Sequence, residues 1–76
     1  MTEVKWLQRF SYTLATMMRE KDLSQRELAR RSGISQSTIN RYLNQMQMPS
    51  VKAIIDLSHA LGCDFDELMD FGDRID

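Results

Sequence analysis

The stretch SQRELARRSGISQSTINRYLN, residues 24–44, carries two short helices separated by a glycine-broken turn, and its reading organises the rest of the chain. Ser24 stands where a helix begins: its hydroxyl accepts from a first-turn amide, and Glu27, three residues on, is spaced to reach back to the Ser24 amide as a capping box. Leu28 and Ala29 give this helix an apolar side, and the methyl-sized Ala29 lets a second helix cross closely. Gly33 follows, where a left-handed backbone costs glycine nothing and a side-chain-bearing residue on the order of 1 kcal/mol. Ser35 caps the next helix. Ile34, an apolar residue in a three-residue turn, plugs the angle between two crossed helices, so the chain bends sharply here.

On the second of these helices, at about 100° per residue, Ile39, Tyr42 and Leu43 share one side, while Ser37, Asn40, Arg41, Asn44 and Gln45 occupy the other. This outer face is polar but nearly uncharged. In a chain of which 28% is Asp, Glu, Lys or Arg, a merely solvated face ordinarily carries ion pairs. Amides, hydroxyls and one arginine are instead the groups that hydrogen-bond base edges and phosphates. The expectation is that they project outward uncommitted to other protein groups.

Working outward, Trp6, Leu7, Phe10, Leu14, Met17 and Met18 recur at intervals of three and four, predicting an amphipathic helix over residues 4–20. Leu23 is the apolar residue before the Ser24 cap. The helices of the quoted stretch are expected over 25–32 and 36–45. Pro49 then forbids continuation and Ser50 caps a helix over 51–61, with Val51, Ile54, Ile55, Leu57, Ser58 and Leu61 toward the core and Gly62 at its end. Asp64 and Glu67 form a second capping box for a last helix over 65–70, followed by a short tail, 71–76. Met46 and Met48 lie in the polar loop between, with Met48 expected beneath Pro49 and Met46 exposed; Met17, Met18 and Met69 are expected as core filler. No run alternates as a strand does, so the fold class is all-α: five helices in a single domain, 1–76.

Composition narrows the function. With 76 residues and 42% hydrophobic content the chain can build one modest core, and no apolar run approaches the roughly 20 residues of a membrane span. With no secretory h-region and a single cysteine, it is expected to stay in the cytoplasm. Cys63 is expected to be an inert, partly buried thiol, and His59 a helix-surface residue. The net charge of −1 hides a polarity: residues 19–52 hold seven Lys or Arg against three acids, whereas residues 53–76 hold one against seven. The basic part coincides with the quoted stretch, so a positive face is available for phosphate while the acidic end limits non-specific adhesion.

The quoted stretch resembles the helix-turn-helix of the lambda-repressor and Cro-like family, also called xenobiotic-response-element-type regulators. The resemblance is carried by Gln25, Leu28-Ala29, Gly33, Ser35-Gln36, Ile39 and Pro49, and extends through Ala60-Leu61-Gly62 and Asp64-Phe65-Asp66-Glu67-Leu68 to cover roughly residues 6–70. Ser32 departs from it where an apolar residue is usual before the turn glycine. Met18 and Leu43 occupy positions where many relatives carry an arginine–glutamate pair, and an apolar contact is expected in its place, which is often at least as stable.

The resemblance implies a sequence-specific double-stranded DNA-binding transcriptional regulator, a repressor, whose second motif helix enters the major groove with its start foremost. It assigns base readout to Gln36, Ser37, Asn40 and Arg41, with Gln36 suited to adenine and Arg41 to guanine. It assigns phosphate contacts to Gln25, Arg26, Thr38 and Asn44. One such unit touches too few base pairs for useful specificity, so a homodimer on a near-palindromic operator is expected, its recognition helices roughly 34 Å apart. Phe65, Met69, Phe71 and Ile75 are the candidate dimer surface. A phage or mobile-element setting is likewise implied by resemblance. The competing reading is an antitoxin or adaptor that uses the same fold, with Met46, Met48 and the C-terminal apolar residues, on a protein partner. No enzyme, cofactor or metal is expected: the chain has no phosphate-binding glycine loop, no metal-spaced His/Cys set and no paired nucleophile and base.

Overall fold

A computed structural model describes residues 3–69. Five helices follow in order: α1 (Glu3–Glu20), α2 (Gln25–Ser32), α3 (Gln36–Leu43), α4 (Val51–Leu61) and α5 (Phe65–Met69). No strand occurs among the described residues, and no helix among them is long and apolar enough to cross a membrane.

Three serines start three helices in the same way. Ser24 Oγ accepts from the Glu27 amide at 3.0 Å, Ser35 Oγ from the Thr38 amide at 3.1 Å, and Ser50 Oγ from the Ala53 amide at 3.1 Å. Each fills one of the donor positions a helix start leaves open. The reciprocal half of the Ser24 box does not form. The Glu27 carboxylate turns forward to Arg30 and Arg31, because a charge-assisted bond to a guanidinium outcompetes one to a neutral amide. At α5 the reverse half is present: the Asp64 amide donates to Glu67 Oε1 at 2.8 Å.

Four left-handed residues stop four helices. Gly33 and Gly62 take φ of 77° and 70°, as expected, but Asp22 and Gln45 take φ of 54° and 59° without being glycine. At Gln45 the Met46 amide donates to the Arg41 carbonyl at 2.8 Å and the Gln45 amide to the Tyr42 carbonyl at 3.2 Å. This paired closure is a Schellman motif. It ends α3 at Leu43, two residues short of the expected 45.

Phe10, Leu14 and Met18 of α1, Leu28 of α2, Ile39 and Tyr42 of α3, Ala53, Ile54, Leu57 and Leu61 of α4, and Leu68 of α5 form one core. Trp6, Leu7, Met17, Leu23, Ala29, Ile34 and Leu43 pack partly buried against it. Met18 and Leu43 thus join the apolar cluster where relatives carry an ion pair. Val51 and Ile55, expected inside, are 65% and 39% exposed. Ala53, Ile54, Leu57, Ser58 and Leu61 already complete the inward stripe, leaving Ile55 about 100° round from Ile54 and Val51 on the first turn beyond the core edge. Met48, expected beneath Pro49, is 45% exposed.

The packing that fixes α3 is aromatic and polar together. Trp6 stacks on Phe10 at 5.4 Å, and Phe10 meets Tyr42 edge-on at 5.9 Å. Buried Ser11 of α1 donates its hydroxyl to the Tyr42 carbonyl. These contacts lock the inner side of α3 to α1, while α2 packs on both α3 and α4.

Candidate nucleic-acid interface

The turn between α2 and α3 holds the two helices at a fixed crossing. Gly33 donates its amide to the Ala29 carbonyl at 2.9 Å, and the Ile34 amide donates to Ser32 Oγ at 3.1 Å, so the serine that replaces an apolar residue braces the turn. Ile34 rests against the core. With Ile39 and Tyr42 facing inward, α3 turns Gln36, Ser37, Asn40, Arg41 and Asn44 to solvent, and all five are exposed.

Four of those five side chains are committed to other protein groups, contrary to the expectation from sequence, which holds only for Gln36. They form two polar clusters. In one, Asn40 Nδ2 donates to Gln25 Oε1 at 3.4 Å across the helix crossing, and Asn44 Nδ2 donates to the Asn40 carbonyl at 2.8 Å and to Asn40 Oδ1 at 3.2 Å. In the other, Arg41 Nη1 donates to Gln47 Oε1 at 2.7 Å and Arg41 Nη2 to Ser37 Oγ at 3.1 Å. Spacing accounts for the pairs Ser37–Arg41 and Asn40–Asn44, which lie four apart and side by side on α3, whereas Gln25 and Gln47 reach them from the start of α2 and from the loop after α3. The Gln36 side chain, at the helix start, has no hydrogen-bond partner among the described residues.

Gln25 lies half-buried at the start of α2, and Arg26 beside it is exposed. The Thr38 hydroxyl accepts from Ser35 Oγ at 2.9 Å, which leaves its own proton directed elsewhere. Glu27 is flanked by Arg30 and Arg31, with Arg31 Nε at 3.0 Å and Arg30 Nε at 3.2 Å. Hydrogen bonds from Arg30, then Arg31, hold its carboxyl down at about 2, and Glu27 in turn pushes the Arg30 guanidinium up. One carboxylate therefore serves two arginines, and α2 keeps a net positive charge.

The remaining candidates separate from this face. Phe65 and Met69 pack partly buried against the core; Phe71 and Ile75 lie outside the described residues. Cys63 is half-buried, its thiol 3.7 Å from Met17 Sδ and its pKa raised chiefly by burial. His59 is exposed on α4. No group of His, Cys, Asp or Glu among the described residues is arranged to hold a metal ion.

Gln47 is the residue of this face that sequence reasoning missed. It follows a bend at a non-glycine residue, beyond the end of α3, where no helical period places its side chain.

A helix-turn-helix family model matches residues 14–68. The chain is similar to the restriction-modification controller protein C.AhdI from Aeromonas hydrophila, with 31% identity, 82% of this chain and 94% of that chain covered, and a TM-score of 0.79. No curated protein matches it. With a five-helix core, a serine-capped helix pair and a left-handed glycine between them, the chain belongs to the XRE-type helix-turn-helix family of DNA-binding transcriptional regulators.

Proposed function

We propose that this protein is a repressor that binds a near-palindromic operator as a homodimer, each subunit placing α3 in the major groove from Gln36 onward. The observation that carries this reading is the two-sided character of α3. Its inner side is fixed by Phe10, Ser11 and the core, and its outer side offers amides, a hydroxyl and a guanidinium with no carboxylate among them. Rigid placement of such groups is what base readout requires. Gln36, Ser37, Asn40 and Arg41 are the base-reading residues; Gln25, Arg26, Thr38 and Asn44 are the phosphate contacts. Residues 1–76 act as one such domain.

The dimer follows from the small footprint of one subunit. Phe65 and Met69 of α5, with Phe71 and Ile75 beyond it, supply the candidate surface. Exposed Val51 and Ile55 add apolar area on α4, the helix that packs on α5. The likeness to a restriction-modification controller supports a controlling role in gene expression. Selection of bound duplexes from a random pool tests this. The expected product is a near-palindrome with half-sites one helical turn apart, roughly 34 Å; recovery of unrelated sequences with no common element contradicts it.

A second reading, an antitoxin or adaptor that binds a protein partner, is favoured by one feature. Met46 and Met48 stand 72% and 45% exposed beside α3, and mobile thioethers suit adaptable apolar contacts. Co-purification of a second protein in fixed ratio, together with failure to retain any duplex, would support it over the first.

A further inference from the structure

We propose that Gln47 is a positioning residue for base readout: it holds the Arg41 guanidinium, with Ser37, in the orientation in which it meets a base. This rests on the reading of α3 as the base-contacting helix. Three features of the loop bear on it, the first two sharing the Schellman closure of α3. First, the loop after α3 is tied to Arg41 twice, once through the main chain, where the Met46 amide donates to the Arg41 carbonyl at 2.8 Å, and once through the side chains, where Arg41 Nη1 donates to Gln47 Oε1 at 2.7 Å. Second, the tie requires a left-handed glutamine, Gln45 at φ 59°, a conformation that side-chain-bearing residues adopt at a cost. Third, the loop is turned the wrong way for apolar burial. Met46 and Met48 are 72% and 45% exposed, while the polar Gln47 between them is half-buried. Hydrophobicity alone gives the opposite arrangement; a glutamine drawn in to a guanidinium accounts for it.

The chemistry fits readout. A guanidinium carries five N–H donors in a plane. Gln47 and Ser37 accept one each, from Nη1 and Nη2, so three remain. A guanine edge needs two, for O6 and N7. Two acceptors on different parts of the backbone, one on α3 and one in the loop, define the plane of the group before DNA arrives. A long side chain already held loses less freedom on contact than one that must be ordered from solvent.

The test uses the selected duplex and its variants in which each G·C pair is exchanged for A·T. Arg41→Ala identifies the pair that Arg41 reads, as the position where discrimination collapses. At that pair, Gln47→Met, similar in length but without the amide acceptor, is expected to reduce the discrimination ratio about three- to tenfold, the worth of one hydrogen bond. The double variant is expected to discriminate no less than Arg41→Ala alone. Gln47→Leu repeats the measurement, and thermal unfolding checks that both variants are folded. A wild-type or sharper ratio in both Gln47 variants, or losses that simply add in the double variant, overturns the proposal while leaving the base-reading role of Arg41 intact. If Arg41→Ala discriminates as wild type at every pair, the base-reading assignment falls and this proposal with it.

Discussion

Across the crossing of α2 and α3, the Asn40 side-chain amide donates to the Gln25 carbonyl oxygen at 3.4 Å. The bond is long and solvent-exposed, so it adds little to stability, but it couples the residue at the start of α2 to the middle of α3. Gln25→Ala is expected to change unfolding free energy by less than about 0.5 kcal/mol, and to weaken binding to matched and scrambled duplexes by similar factors. Parallel titrations of both duplexes check this. A loss confined to the matched sequence would move Gln25 from phosphate contact to base readout.

Charge should govern the non-specific part of binding. Each phosphate neutralised by a cation steepens the fall of affinity with salt, by about 0.9 in a log–log plot. Arg26 is exposed at the start of α2 and has no ion-pair partner among the described residues. Arg26→Ala is expected to flatten the slope by roughly one per subunit. A slope unchanged by the substitution removes Arg26 from the phosphate contacts, and an affinity indifferent to salt opposes groove binding altogether.

Glu27 offers a pH signature. Its carboxyl titrates at about 2 instead of its ordinary 4.5, because Arg30 and then Arg31 hydrogen-bond its charged form. The folded state therefore binds this proton more weakly than the unfolded chain. The contribution to stability is present above about pH 4.5 and is lost as pH falls toward about 2. The group is solvent-exposed, so the effect on stability is small. Carboxyl-carbon chemical shifts should show Glu27 titrating well below the ordinary value of 4.5. The difference in thermal midpoint between wild type and Glu27→Gln should shrink as pH drops through that window. An ordinary Glu27 midpoint would mean the fork with Arg30 and Arg31 does not persist in solution.

Two turns predict opposite responses to glycine chemistry. Gly33, at φ 77°, has open space where a Cβ would stand, so Gly33→Ala carries the backbone cost alone, roughly 1 kcal/mol of lost stability. Gln45 adopts φ 59° with a side chain, and Gln45→Gly is expected to raise stability by up to about 1 kcal/mol. Chemical denaturation of both variants decides. A destabilised Gln45→Gly would show that the Gln45 side chain contributes more than its backbone strain removes.

What could be read from the sequence was local. Ser24, Ser35 and Ser50 announce helix starts, and Gly33 and Gly62 announce ends, because a cap and a left-handed glycine act within a few residues. The α1 stripe of Phe10, Leu14 and Met18 follows from helical period alone. Competition among partners was not legible. Glu27 is spaced for its cap, yet two guanidiniums within one turn claim it. Nor was the bend at Gln45, since glutamine carries no signal for a left-handed conformation, and with it went the return of Gln47 to Arg41. Val51 and Ile55 read as inward-facing because an apolar residue beside a core stripe looks like part of it; only the packed width of the core decides where the stripe ends.

If the outer face of α3 meets base edges in the major groove, methylation interference on the selected duplex will register it. Methyl groups placed on guanine N7 stand in that groove. Methylation at guanines in each half-site, centred about 10 base pairs apart, is expected to abolish binding of the wild-type protein, and Arg41→Ala is expected to lose sensitivity at one guanine per half-site. Binding that tolerates N7 methylation throughout the duplex would contradict it.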